Sequence, residues 1–358
     1  MIEILKQFML DSPATSCSPF GNGLINRTYL VETESGKRYI LQRLSEEAFK
    51  DVPALMENIS GVTEYLDAKA REEGVKAHVI SPVRTRDGRT YVHDKGYYRV
   101  TPFAENSISL EEPESDKDFY ECAVAFGTFI SELADYPAET LHETIPNFHN
   151  TPDRYRIFRE KLEAAKADSS LSGRVREAAE LIAFALENEE VAGRLQAMRD
   201  SGELPTRVTH NDTKLNNVLL DRETRKLMYV IDLDTVMPGL SLYDYGDCIR
   251  FGASTGGEDE KDLSKVGLDL HLFEVFTRGF IGACKGLTER EIEMLPMGAI
   301  TITLELGVRF LTDYLDGDRY FATKYPGHNL DRCRCQFALA RDMMNKLEEM
   351  NEIVRRCK

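Results

Sequence analysis

The spacing His210-x-Asp212-x4-Asn217 sets a carboxylate and a carboxamide five residues apart, between a β-branched pair and the apolar run Val218-Leu219-Leu220. Fifteen residues beyond Asn217, the run Tyr229-Val230-Ile231 delivers Asp232, and Asp234 follows two residues later. Read as strand, loop, strand, loop, this stretch opens both loops on one edge, so that Asp212, Asn217 and Asp232 are expected to converge. Transfer of a phosphoryl group needs those parts: one carboxylate to take an alcohol's proton, and an Asn with a second carboxylate to hold Mg²⁺ across nucleotide phosphates. Lys214, between the Asp and the Asn, is placed to meet charge on the transferred group. The plain alternative is that Asp212, Asn216, Asn217 and Asp221 are turn formers on an acidic surface. A metal hydrolase built on His210 lacks ligands, since no H-x-H or H-E-x-x-H partner accompanies it. His210 is expected to brace the loop, as are Asp244 and Asp247 with Arg250.

Elements on both sides must hold these loops. Strands are expected at Thr28 to Thr33 and Arg38 to Leu44, turned by Glu34-Ser35-Gly36. A helix is expected over 53–73, where Leu55, Ile59, Val62 and Leu66 recur at helical spacing. Two further strands fit 77–92, turned at Asp87-Gly88, and another fits Tyr97 to Thr101. After a short crossing the pattern turns helical, over 117–135, over 154–200 and from 267 to the end. The ordering predicts an α+β fold, with a small antiparallel β N-lobe (1–104) and a larger helical C-lobe (105–358).

The bulk properties bound the partners. The chain has 358 residues, 42% apolar and 30% charged, as in soluble globular proteins. A net charge of −16, from 61 acids and 45 bases, excludes the basic footprint of a nucleic-acid binder. It does not exclude a nucleotide, because local donors and a divalent metal can reverse the field in one cleft. Seven cysteines form no disulfide or zinc framework, Cys333 and Cys335 being the only close pair, which suits a reduced compartment. No signal peptide or membrane-length apolar run is read, so a soluble, cytoplasmic monomer with no membrane partner is expected.

HNDTKLNN followed by VIDLD resembles the catalytic and metal loops of the aminoglycoside phosphotransferase and choline kinase-like family. These are small-molecule kinases of bilobal, protein-kinase-like fold. The resemblance implies Asp212 as the base, Asn217 and Asp232 as magnesium ligands, and Asp234 as a second acid near the metal. Longer strings, PFGNGLINRTYLV, RYILQR, GDCIRFGAST, RFLTDYL and YFATKYP among them, are similar to the N-acetylhexosamine 1-kinases of that family. They imply ATP as donor and the anomeric hydroxyl of GlcNAc or GalNAc as acceptor.

On the nucleotide side, Gly21, Asn22, Gly23 and Asn26 sit where a glycine-rich loop would cover the phosphates. The usual strand lysine is missing from RYILQRL, and Arg43 aligns with the arginine of choline kinase-type members. Its acidic partner is either Glu57 or Glu64, and its alternative is an exposed edge-strand residue. The backbone of Pro102, Phe103 and Ala104 would meet the base by analogy with the fold, unless Phe103 is core. On the acceptor side the resemblance points to Arg309 and Tyr320. Their alternatives are a surface pair of Arg309 with Asp313 and core packing of Tyr320. Leu24 departs from the histidine expected near the sugar. Two other functions stay open: a kinase of this fold for another alcohol, such as choline or an aminoglycoside, and a non-catalytic nucleotide-binding scaffold.

Overall fold

The computed structural model describes residues 1–21 and 25–358, so the expectations placed on Asn22, Gly23 and Leu24 lie outside the described residues. The chain divides into two compact units. One comprises residues 1–109, 132–146 and 217–238; the other comprises 110–131, 147–216 and 239–358.

In the first unit, β1 (Ala14–Pro19), β2 (Arg27–Thr33), β3 (Arg38–Leu44), β4 (Val92–His93) and β5 (Tyr97–Pro102) form an antiparallel sheet ordered β1-β2-β3-β5-β4. Successive side chains point to opposite faces of a strand. Val31, Tyr39, Leu41, Tyr98 and Val100 therefore share one face, which they bury against Ile4, Leu5 and Phe8. Each fully buried aliphatic side chain there contributes about 1.5–3 kcal/mol. Thr28, Ile40, Gln42, Arg99 and Thr101 fall on the opposite face, with Thr28 opposite Gln42 and Gln42 opposite Arg99. The expected β2–β3 hairpin closes through Gly36, whose φ of 84° favours glycine.

The helix Val52–Glu73 starts where Asp51 accepts the Ala54 amide (3.0 Å) and ends at Gly74, φ 69°. It buries Leu55, Ile59, Val62 and Leu66, the stripe read from spacing. The segment 77–92 does not form the two expected strands. Only isolated bridges, at Val79 and Thr85, precede β4. Pro82 has no amide for a ladder, and Arg86 N bonds instead to Gln7 O (2.9 Å). A second small antiparallel sheet joins Ser107–Ile108, Val218–Asp221 and Leu227–Val230. Asp221 closes its turn, accepting from the Glu223 and Thr224 amides at 3.1 and 2.7 Å. At that position the turn-former reading is the right one.

The second unit is helical. The helix Leu295–Leu315 is packed by Thr151–Ala167, Ser241–Gly252 and His328–Asn345. By length and apolarity it could cross a membrane, which corrects the expectation of no such run, yet 83% of its apolar window is buried inside the protein. A Cβ at Gly246 or Gly298 would collide with the facing backbone, so glycine permits this helix contact. The helical stretch expected over 154–200 consists of four helices, separated at Asp168–Leu171, Ala178 and Asn188. Asp168 explains the first break: its carboxylate accepts the Ser170 amide at 2.8 Å, a local bond that competes with the helix.

Candidate active site

In the first unit, the hairpin strands Val218–Asp221 and Leu227–Val230 open at one end on Asn217 and Asp232, and Ile231 N donates to Asn217 O at 2.9 Å. Both residues line a cavity of about 580 Å³, together with Gln42, Arg99, Pro102, Phe103 and Ala104. Its walls are mostly apolar, from Ile40, Ile59, Ile80, Leu219 and Val230. Phe103 meets Phe20 edge-on at 5.9 Å and lies 4.2 Å from the Arg38 guanidinium carbon, so it lines the cavity and is not core. Asp232 takes a left-handed backbone (φ 60°), uncommon outside glycine and costly enough to need support.

That support centres on Asp234. Its carboxylate is 4% exposed, pairs with the Arg99 guanidinium, and accepts from Asn26 Nδ2 at 2.6 Å. Asn26 Oδ1 in turn accepts the Ser45 amide (3.0 Å), and Arg99 Nε donates to Gln42 Oε1 (2.9 Å). Asn26 and Asp234 are thus joined to each other, and neither is among the residues lining the cavity. Gly21 has a left-handed backbone at φ 70°. Arg43 is also not a lining residue: Nη2 donates to Lys95 O (3.0 Å) and the guanidinium rests on Gly96. Neither acid expected beside Arg43 pairs with it, since Glu57 meets His142 (2.7 Å) and Glu64 meets Arg84 (2.6 Å).

In the second unit, Lys214 Nζ stands 2.9 Å from Asp212 Oδ1. Burial pulls the lysine pKa down, but the Asp212 charge beside it, reinforced by Asp247, raises it overall. The Asp212 amide donates to His210 Nδ1 at 3.3 Å, and the His210 ring is buried beside Phe126 and Phe129. Asp244 holds this loop from beneath. Its two oxygens accept the amides of His210 (2.8 Å) and Asn211 (2.7 Å), and its carbonyl accepts Thr213 Oγ1 (2.7 Å). Complete burial raises the Asp244 carboxyl to about 6 despite these donors. Arg250 pairs with Asp247 at 2.9 Å.

Sequence reasoning missed a second brace. His149 bonds Glu305 through Nδ1 (2.9 Å) and the Asn211 carbonyl through Nε2 (3.3 Å). Glu305 Oε2 also accepts Thr151 Oγ1 at 2.6 Å. One helical turn past Glu305, Arg309 lines a smaller cavity of about 210 Å³ with Arg154, Lys161, Asp316, Tyr320 and Phe321. The Arg309 guanidinium carbon lies 5.6 Å from each of the Phe148 and Phe321 rings. Its alternative partner Asp313 is committed elsewhere, accepting the amides of Arg319, Tyr320 and Phe321 at 2.8, 2.8 and 2.9 Å. Tyr320 is 74% exposed, which overturns core packing. Arg154, also unforeseen, donates Nη2 to Phe148 O (2.7 Å), while its Nε is buried with no hydrogen-bond partner among the described residues. Burial lowers its pKa, and the neighbouring Arg309 charge adds to the effect.

The profile of the phosphotransferase enzyme family known as APH matches residues 16–266. Among solved structures, an aminoglycoside phosphotransferase from Alicyclobacillus acidocaldarius is 17% identical with a TM-score of 0.61, the match covering 99% of this chain and 96% of that one. A spectinomycin phosphotransferase, solved with ADP and spectinomycin, is 14% identical at TM-score 0.62, with 96% and 97% covered. A microcompartment-associated aminopropanol kinase is 16% identical at TM-score 0.61, with 98% and 97% covered. These likenesses are of fold, an antiparallel sheet in the N-terminal part followed by helices. With most of its length matched by the family profile, the chain belongs to the phosphotransferase enzyme family.

Proposed function

We propose that this small-molecule phosphotransferase moves the γ-phosphoryl group of ATP to the anomeric hydroxyl of an N-acetylhexosamine, GlcNAc or GalNAc, giving the sugar 1-phosphate. The observation that carries the acceptor class is the smaller cavity. It presents the guanidinia of Arg154 and Arg309 beside Tyr320, and its acids Asp313 and Asp316 are already engaged, the latter by Lys161 at 2.9 Å. Fixed donors beside aromatic rings suit a neutral, hydroxyl-rich acceptor, which is recognised through satisfied hydrogen bonds. They repel an ammonium group.

Asp212 is the residue to orient the acceptor hydroxyl and take its proton, and the hemiacetal hydroxyl is the most acidic one a sugar offers. Lys214, held charged by Asp212, would steady charge on the transferred group. Asn217 and Asp232 offer oxygen donors on one cavity wall, and among the described residues no group of three His, Cys, Asp or Glu is close enough to bind a metal. That set fits Mg²⁺, which takes one or two carboxylates and completes its shell with phosphates and water. Bound there, Mg²⁺ would neutralise charge on the nucleotide phosphates. The apolar walls and the backbone of Pro102, Phe103 and Ala104 suit a nucleobase, and the spectinomycin phosphotransferase of this fold was solved with ADP.

A second reading is favoured by the net charge of −16 and by the amine acceptors named for the relatives: a kinase for a cationic alcohol. ADP release measured over GlcNAc, GalNAc, galactose, glucose, choline and kanamycin separates the two. Turnover with GlcNAc or GalNAc, and a sugar 1-phosphate seen by phosphorus NMR, is the expected result. Turnover only with amines would replace the acceptor and leave the phosphotransferase standing.

A further inference from the structure

We infer that Arg99, and not Arg43, is the cation that meets the nucleotide phosphates in the larger cavity. The inference rests on the reading that this cavity holds the nucleotide. Strand parity comes first. Arg43 shares its face of β3 with Tyr39 and Leu41, which face the core, and its guanidinium ends on the Lys95 carbonyl at 3.0 Å. Gln42 and Arg99 lie opposite each other across β3 and β5, on the face that lines the cavity.

Arg99 is 5% exposed and lines that cavity with Asn217 and Asp232. The other lining cation, Arg222, is exposed and donates Nη2 to the Ser107 carbonyl at 3.1 Å. Two edges of the Arg99 guanidinium are fixed, Nε on Gln42 Oε1 (2.9 Å) and Nη1 on Asp234. Among the described residues no acceptor is found for Nη2. A planar fork clamped on two edges keeps its remaining donors oriented without further ordering, which suits a phosphate oxygen. Asp234 thereby fixes Arg99 and the strained Asp232 loop at once, so one carboxylate aligns two phosphate-facing groups.

A purely structural ion pair would look the same at rest, and dependence on phosphate number tells the two apart. Full-length Arg99→Gln, Arg99→Lys and Arg43→Ala are titrated calorimetrically with adenosine, AMP, ADP and ATP in EDTA, so that metal plays no part. Circular dichroism and thermal melts verify folding. Arg99→Gln is expected to weaken ADP and ATP about 10- to 100-fold, the scale of a hydrogen bond to a charged group, and to leave adenosine within about twofold. Arg99→Lys keeps the charge without the fork and should show the same ordering with a smaller loss. Equal weakening of adenosine and ATP in either variant would make Arg99 a structural latch only and overturn the inference. A phosphate-dependent loss in Arg43→Ala would overturn it too, and that half-exposed substitution tests the point even if Arg99→Gln fails to fold. A wild-type protein that binds none of the four would sink the nucleotide reading itself.

Discussion

Lys214 Nζ and Asp212 Oδ1 form an ion pair of 2.9 Å, on a loop whose backbone is pinned by a buried carboxylate. Within this pair the carboxylate charge keeps the neighbouring ammonium charged. Replacing Asp212 by Asn keeps the size and removes the base. Turnover should fall by about 10²- to 10⁴-fold, the usual weight of general acid–base catalysis. ADP affinity, measured calorimetrically, should stay within about twofold, because the carboxylate acts on the acceptor and not on the nucleotide. A variant retaining more than about a tenth of wild-type kcat, a loss under ~1.4 kcal/mol, would show that Asp212 is not the base.

Asp232 sits in a left-handed backbone, at the open end of the same hairpin as Asn217. Asp232→Ala removes one of two proposed metal donors, so activity should vanish and saturating Mg²⁺ should not restore it. Partial rescue by Mn²⁺ fits, since it also accepts oxygen ligands. Full wild-type turnover in excess EDTA would rule out the metal role of both residues.

Asp244 gives a pH signature whose sign is fixed by burial. Its folded pKa is raised from 3.8 to about 6, so between those values the folded chain holds a proton that the unfolded chain has released. Stability from this group is therefore greatest in acid, declines as pH rises from about 4 to about 6, and is flat above. Wild type should gain on Asp244→Asn as pH falls through that window, when their melting temperatures are compared in matched buffers. A gap that narrows toward acid would mean that the two amide bonds from His210 and Asn211 outweigh burial and depress the carboxyl instead.

The legible part of this protein is the part written in local pattern. The hairpin that brings Asn217 and Asp232 to one edge could be read because β-branched and apolar runs bracket it with turn residues. Helix Val52–Glu73 was equally readable from its stripe of Leu55, Ile59, Val62 and Leu66. Parity was not. Arg43 falls on the face of Tyr39 and Leu41, one position from Gln42 on the cavity face, and in a strand one position reverses the face. Arg99 was signalled weakly, as a charge between Tyr98 and Val100, but only register with β3 places it in the cavity. His149 and Glu305 meet across 156 residues of chain, and nothing local announces such a pair. Asp313 suited an i,i+4 partner for Arg309 until the loop 319–321 claimed its oxygens.

That commitment of Asp313 frames the riskiest expectation, on the acceptor. With Asp313 on three backbone amides and Asp316 on Lys161, the cavity presents two guanidinia and a largely exposed tyrosine. Removing a charged donor from a bound hydroxyl should weaken the sugar by about 10- to 100-fold. Arg309→Ala should therefore raise the sugar KM by that much, with the ATP KM nearly unchanged, the pattern of lost uniform binding on one substrate. Arg154→Ala should move the same KM less, because one of its donors already serves the Phe148 carbonyl. Arg309→Lys should not rescue fully, since lysine is a point charge that cannot span two hydroxyls as the planar fork does. Initial rates with GlcNAc and ATP varied independently supply all of these constants. An ATP KM that rises with the sugar KM would mark Arg309 as structural, and better use of choline than of GlcNAc by wild type would assign the cavity to another ligand.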